Sequence, residues 1–154
     1  MAVEIERKFL VRDSRWKSLA EGILYRQGYL SIGKERTVRV RVVGETGLLT
    51  IKGQTVGISR LEFEYEIPVD DAQHMLDELC QKPIIEKHRS TIEHGSLIWE
   101  VDEFHGVNEG LILAEVELQS ADQQVDIPDW IGEEVSGDAR YYNANLVKNP
   151  YITW

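Results

Sequence analysis

The sequence predicts an α+β fold: an antiparallel eight-stranded β-barrel, closed or cup-shaped, with a few helices packed outside. Three observations lead there. Eight segments alternate apolar and polar residues with period two or are rich in β-branched and aromatic residues, the connections between several of them are short and turn-like, and helical signals are confined to three stretches. Residues 1–154 read as a single domain, because the length suits one core and no linker, low-complexity tract or repeat of about 20 to 50 residues interrupts them.

The first strand spans 3–11. Asp13 and Ser14 then cap a short helix carrying Trp16, Leu19 and Ala20. Strands follow at 24–32, 37–43, 47–53 and 60–67, with a hairpin connection framed by Gly44 and Gly47. Asp70 with Gln73 three residues on resembles a capping box, opening a helix over 71–82 whose apolar face is Met75, Leu76, Leu79 and Cys80. His94-Gly95 turns strand 85–92 into strand 96–104, and Gly106 to Gly110 leads to the last strand, 111–119. A third helix, 137–148, carries Tyr141, Tyr142, Asn145 and Leu146 and is stopped by Pro150. Trp16, Trp99 and Trp130 are expected on the barrel exterior. The tail Tyr151, Ile152 and Trp154 packs either on the body or on a second subunit of a homodimer, two arrangements the sequence leaves open.

The polar face of these strands is unusual. An ordinary exposed face mixes Thr, Ser, Lys and Glu, because water accepts nearly anything there. Here it is almost purely ionic: Glu4, Glu6 and Lys8; Arg39 and Arg41; Lys52; Glu62, Glu64 and Glu66; Lys87 and Arg89; Glu100 and Asp102; Glu115 and Glu117. Any single Glu-x-Glu on a strand is usually a solvated face. Glu pairs set side by side on many strands would repel each other in water and gain little from surface pairing. A closed sheet with its ionic faces inward turns that repetition into a charged lumen.

The firmest inward acids (Glu4, Glu6, Glu62, Glu64, Glu100, Asp102, Glu115, Glu117) number eight and the bases (Lys8, Arg39, Arg41, Lys52, Lys87, Arg89) six, leaving −2. Two Mg²⁺ or Mn²⁺ ions would bring the lumen to +2 and let it receive a phosphate chain. Acids hold the metals and bases hold the phosphates. Elsewhere the composition excludes more than it suggests. A net charge of −10 gives no long-range attraction for nucleic acid or an anionic membrane. The N-terminus has acids where a signal peptide needs a basic start, and no apolar run approaches the 18 or so residues of a membrane span. The single Cys80 forms no intrachain disulfide, so the expected location is cytoplasmic. His74, His88, His94 and His105 lack zinc-site spacing, and His88 should point away from the Lys87 and Arg89 face.

Glu4-Ile5-Glu6-Arg7-Lys8 resembles the Glu-x-Glu-x-Lys signature of the CYTH superfamily, the triphosphate tunnel metalloenzymes. It is followed in order by Arg26-Gln27-Gly28-Tyr29-Leu30, Val38-Arg39-Val40-Arg41, Thr50-Ile51-Lys52-Gly53, Glu62-Phe63-Glu64-Tyr65-Glu66-Ile67, Glu86-Lys87-His88-Arg89, Glu100-Val101-Asp102 and Glu115-Val116-Glu117. The family includes class IV adenylate cyclases and thiamine, RNA and inorganic triphosphatases. The resemblance implies a tunnel or cup of about eight strands. It implies that Lys8, Arg39, Arg41, Lys52, Lys87 and Arg89 bind triphosphate. Glu4, Glu6, Glu62, Glu64, Asp102, Glu115 and Glu117 look like the metal set, with Glu100 supporting it, and Glu4, Glu6, Glu115 and Glu117 should converge on one cation. Lys87 resembles a lysine that assists the leaving phosphate, and Tyr29 a tyrosine assigned as proton acceptor.

The expected activity is therefore metal-dependent hydrolysis of inorganic triphosphate or another triphosphate-bearing compound, with metal-activated water as nucleophile. A class IV cyclase making cyclic AMP, a thiamine triphosphatase and a silent triphosphate- or nucleotide-binding module are the alternatives. A silent anion binder has no use for eight lumen carboxylates. Nothing in the sequence resembles a stacking site for a base.

Overall fold

Strands with one ionic and one apolar face can bury either face, and this chain closes its sheet with the ionic face inward. The computed structural model describes residues 2–154, with strands β1 Val3–Val11, β2 Ile23–Ile32, β3 Arg36–Val43, β4 Thr46–Gly53, β5 Ser59–Ile67, β6 Ile85–His94, β7 Leu97–Phe104, β8 Ile112–Glu117 and β9 Ile131–Glu134. The hydrogen-bonded order is β5-β4-β3-β2-β6-β7-β8-β1, and β1 also pairs with β5, so eight antiparallel strands form a closed barrel.

Closure is brief. Only Val3↔Leu61, Glu4↔Arg60 and Ile5↔Ser59 join β1 to β5, after which β9 takes over the same edge through Phe9↔Glu134 and Val11↔Ile131. Between them the Glu6 N–H donates to the Ile58 carbonyl and the Lys8 N–H to Ser136 Oγ, so the edge is satisfied without a partner strand. The ninth strand was not expected, since four residues are too few for alternation to register.

The hydrophobic core lies outside the barrel wall. On the β1-β8-β7-β6 side, Phe9, Ile92, Trp99, Val101, Ala114 and Val116 are covered by Trp16 and Trp130. On the β2-β3-β4 side the cover is helix α1, Val69–Glu78, whose Ala72 and Leu76 pack with Val40, Val42 and Cys80. Gly47 lets it approach: a Cβ there would stand 2.9 Å from Ala72 Cβ and from the Ile67 carbonyl. A third cluster closes one end of the lumen. Along the inward-facing rows Leu10 follows Lys8, Tyr29 follows Gln27, Ile85 precedes Lys87, Phe104 follows Asp102 and Leu113 precedes Glu115. These apolar ends meet Tyr141, Leu146 and Val147 of the C-terminal segment. The barrel is thus a cup with an apolar floor.

The helices depart from expectation. The first is a single 3₁₀ turn, Arg15–Ser18, because the Asp13 carboxylate binds Arg15 through both backbone and side chain. Helix α1 starts and ends earlier than predicted. Its N-cap is Pro68 with no side-chain cap, and Gln73 accepts from Arg26 at 2.9 Å instead of closing a capping box. Leu79 lies past its end and is 66% exposed, not part of the apolar face. The third helix breaks into a 3₁₀ turn, Ala139–Tyr141, and α2, Asn143–Lys148, because Tyr142 between them is extended. The tail packs on the body: Trp154 lies edge-on to Tyr141 and Tyr151, and the Tyr151 N–H donates to Asn108. Among the described residues no helix is long and apolar enough to cross a membrane.

Leu76 of α1 is fully buried in the apolar cluster with Val40, Val42 and Cys80 and does not line the cavity. Leu76→Ala is expected to cost about 2–5 kcal/mol of stability, read as a lower urea midpoint with an unchanged slope.

Candidate active site

The six bases singled out from the alternation are the only Lys and Arg side chains buried among the described residues: Lys8, Arg39, Arg41, Lys52, Lys87 and Arg89. All six line one cavity of 810 Å³, together with Glu4, Glu6, Glu62, Glu64, Glu100, Glu115 and Glu117. The pleat explains this, since residues two apart on a strand share a face and register aligns them across strands. Lys8 stands opposite Glu115, Arg89 opposite Asp102, and Lys52 opposite Glu62.

Each base has a protein partner. Lys52 bridges Glu4 at 3.0 Å and Glu62 at 3.2 Å, Lys8 lies 3.6 Å from Glu115, and Arg39 lies 3.5 Å from Glu64. Arg41 donates from Nε and Nη2 to Gln27 Oε1 at 2.9 and 2.8 Å. The guanidinium carbons of both Arg41 and Arg89 lie 4.9 Å from the centroid of the Tyr25 ring, so one aromatic ring meets two like charges. Donors are still left over. Arg39 Nε is buried with no acceptor among the described residues, as an anion-binding wall would require.

Asp102 differs from the expectation that it joins the metal set. It is 1% exposed and does not line the cavity. Its carboxylate takes both Nε and Nη2 of Arg89, at 2.7 and 2.9 Å, and Lys87 Nζ at 2.7 Å. It is the counter-ion behind the basic wall. Burial alone would raise its pKa, but Lys87 and Arg89 outweigh that and hold it at about 2. Burial, followed by Arg89 and Arg41, brings Lys87 down to about 7 against the opposing pull of Asp102. Arg41 is pushed down to about 9 by burial and by Arg39 and Arg89, which leaves it charged at neutral pH.

The acidic side is crowded. Among the described residues no three acidic, His or Cys side chains form a ready-made metal cage, while Glu4, Glu6, Glu115 and Glu117 line the same cavity and act on one another. Glu62 is raised to about 7 by burial and by sharing a hydrogen bond with Glu4, which burial raises but Glu62 and Lys52 bring down to about 2. Glu6 is raised well above the carboxylate range by burial, Glu115 and Glu4. Against the effect of its own burial, Glu115 is pulled well below that range by Lys8, Arg89 and Lys87. Glu117 is raised by burial and by Glu4 and Glu100. Carboxylates held this close, sharing protons for want of positive charge, suit a hard divalent cation bound through oxygen.

Tyr29 reaches the cavity at its floor, near Lys8 and Arg41. His88 is on the exterior, its Nδ1 2.6 Å from His105 Nε2. Cys80 is a buried free thiol against α1. Sequence reading missed Arg60, which lines the cavity with its Nε 3.7 Å from Glu4. Its parity with Glu62 and Glu64 was the available signal. Gln27 and Asn143 were also missed, since neutral amides carry no charge pattern.

The CYTH domain family model matches residues 2–151. An inorganic triphosphatase of Acetivibrio thermocellus is 56% identical over 151 residues, covering 98% of this chain and 97% of its own. An inorganic triphosphatase of Nitrosomonas europaea is 38% identical over 148 residues, covering 93% and 95%. Among solved structures, an inorganic triphosphatase superposes with a TM-score of 0.67 at 33% identity over 93% of this chain and 96% of that one. A putative adenylate cyclase from Bacillus halodurans, at TM-score 0.62 and 19% identity over 79% and 84%, is a likeness of fold alone.

Asp102 makes acid stability testable. In the unfolded chain it titrates near 3.8 and in the folded chain at about 2. Between those values the unfolded state binds more protons, so its contribution is complete above about pH 4 and lost as pH falls through about 2. Asp102→Asn should remove that part of the acid unfolding curve. It should also cost about 3–5 kcal/mol near neutrality, because Lys87 and Arg89 lose their counter-ion. Urea titrations from pH 2 to 7 read both effects.

Proposed function

The chain belongs to the CYTH domain family, and from that premise we propose that it is a metal-dependent hydrolase of inorganic triphosphate. One observation carries the reading: every buried Lys and Arg among the described residues faces a wall of carboxylates across a single cavity. Two curated relatives bearing the name inorganic triphosphatase support the same substrate class.

Glu4, Glu6, Glu62, Glu64, Glu115 and Glu117, with Glu100 beside them, would hold two divalent cations, Mg²⁺ or Mn²⁺. When bound, such ions supply positive charge against the phosphate oxygens and activate the attacking water. Lys8, Arg39, Arg41, Lys52 and Arg89, joined by Arg60, clamp the phosphate chain by charge-assisted hydrogen bonds. Water adds to the terminal phosphorus as the bond to the bridging oxygen breaks, and the bonding electron pair leaves on that oxygen. Lys87 Nζ, brought down to about 7, gives it a proton, while the proton lost by water passes to solvent. The apolar floor keeps water from the back of Lys87, whose Nζ lies 5.4 Å from the Phe104 ring.

Two of the three tyrosines that line the lumen already meet cations, Tyr25 those of Arg41 and Arg89 and Tyr142 that of Lys8, so they serve the basic wall and not a base. Parts of a substrate that the protein does not contact add nothing to catalysis. Inorganic triphosphate should therefore be hydrolysed with a higher kcat/KM than ATP, GTP or thiamine triphosphate in the presence of Mg²⁺ or Mn²⁺, with no cyclic AMP as the main product from ATP. Phosphate release and nucleotide chromatography on the purified protein decide this; stoichiometric cyclic AMP would make it a cyclase.

Clamp and leaving-group roles separate kinetically. Arg39→Ala should act mainly on KM, losing about 1.5–3 kcal/mol of binding. Lys87→Ala should lower kcat more than it raises KM. Equal losses in both parameters for both variants would abolish the distinction.

A further inference from the structure

A lysine ammonium carries three donors and no acceptor. Lys87 Nζ donates to Asn143 Oδ1 at 2.9 Å and is ion-paired to Asp102 Oδ2 at 2.7 Å. Lys87 also lines the cavity. The directed hydrogen bond to Asn143 restricts how the ammonium can turn and so which donors are left for the cavity. Asp102 on β7 provides the ionic partner, and Asn143, the first residue of α2, provides the hydrogen-bond acceptor from the C-terminal segment.

The orientation of Asn143 is itself determined. Arg41 can only donate, so Gln27 must turn its carbonyl oxygen to Arg41 Nε and Nη2. That turns Gln27 Nε2 to Asn143 Oδ1, at 3.0 Å, and leaves the Asn143 oxygen accepting from both Gln27 and Lys87. Gln27 is fully buried, so water does not compete for its amide. Arg41, Gln27, Asn143 and Lys87 thus form one unbroken chain of hydrogen bonds from the phosphate clamp to the leaving-group lysine.

We infer that Asn143, held by Gln27, is a positioning residue that aims the free proton of Lys87 at the leaving phosphate oxygen. This rests on the hydrolase reading, in which Lys87 serves that oxygen. Asn143 lines the same cavity as Lys87, so an effect passed through Lys87 is told from direct substrate contact by an unchanged KM and by its disappearance when Lys87 is removed. The contact is also invisible to charge counting, since both amides are neutral and come from distant parts of the sequence.

The test uses Asn143→Leu, which keeps the branching at Cγ and removes the acceptor, with Asn143→Ala as a truncation and Asn143→Asp as the variant that keeps an acceptor oxygen. With inorganic triphosphate, Asn143→Leu is expected to lower kcat by about 10- to 100-fold, the penalty of a misplaced catalytic group. KM should change by no more than about twofold, and Asn143→Asp should recover part of the loss. In a Lys87→Met background, Asn143→Leu should have no further effect, because two residues acting as one unit do not add. Wild-type kcat in both Asn143→Leu and Asn143→Ala, or losses that multiply with Lys87→Met, would overturn the inference while leaving the hydrolase reading intact. Absence of phosphate release by the wild-type protein would instead overturn the hydrolase reading, and the inference with it.

Discussion

Taking a Lys or Arg side chain out of water costs several kcal/mol per charge unless an acid is delivered to it with good geometry. This barrel buries six of them around one cavity, and the rest of the molecule follows from that constraint. Alternation places the bases, and antiparallel register places their acids: Glu115 across from Lys8, Glu62 across from Lys52, Asp102 across from Arg89. Asp102 is the most committed of these, because one carboxylate answers two buried cations from the side away from the cavity. The remaining acids then face a lumen whose bases are already partly neutralised. Burial and their own neighbours raise the pKa values of Glu6 and Glu62, and such an acidic wall suits added cations.

An ionic interior forces the hydrophobic core outward. In most barrels apolar side chains fill the inside; here they coat the outside in separate clusters and need covers that come from loops and helices. Trp16 and Trp130 cover one side and α1 another, while the outward residues of β5, Leu61, Phe63 and Tyr65, stay exposed. The floor cluster is the exception, since it fills the barrel's own interior at one end. There the inward rows change from charged to apolar within a strand, as from Lys87 to Ile85 or from Asp102 to Phe104.

Most of this arrangement was legible because a two-residue period on a strand is unambiguous: once one inward residue is known, its neighbours two positions away are fixed. The barrel, the six bases and the lining acids follow from parity alone. Depth along the axis does not. Asp102 has the parity of a lumen acid but stands behind Lys87 and Arg89, and only the register of β6 against β7 reveals it. Helix ends were misread because local hydrogen bonds competed for the same groups, Asp13 for Arg15 and Gln73 for Arg26. The strand β9 and the Gln27–Asn143 contact depend on the C-terminal segment crossing back to the barrel, for which the sequence carries no periodic signal.

The seam of the barrel has a consequence for how the lumen comes into being. β1, near the start of the chain, must find β8, where Glu6 meets Glu117 and Lys8 meets Glu115, and then meet β5 over only three residue pairs. Hairpins such as β3-β4 and β6-β7 close short loops and are entropically cheap, whereas joining β1 to β8 closes the long loop from Glu6 to Glu117. Such non-local pairing belongs to folds that form in roughly milliseconds to seconds. Glu4 and Glu6 therefore reach Glu115 and Glu117 only in the step that completes the wall. The hairpins carry part of the charge pairing on their own, Arg89 with Asp102 and Lys52 with Glu62, but the chamber has a continuous wall only once β1 joins β8 and β5.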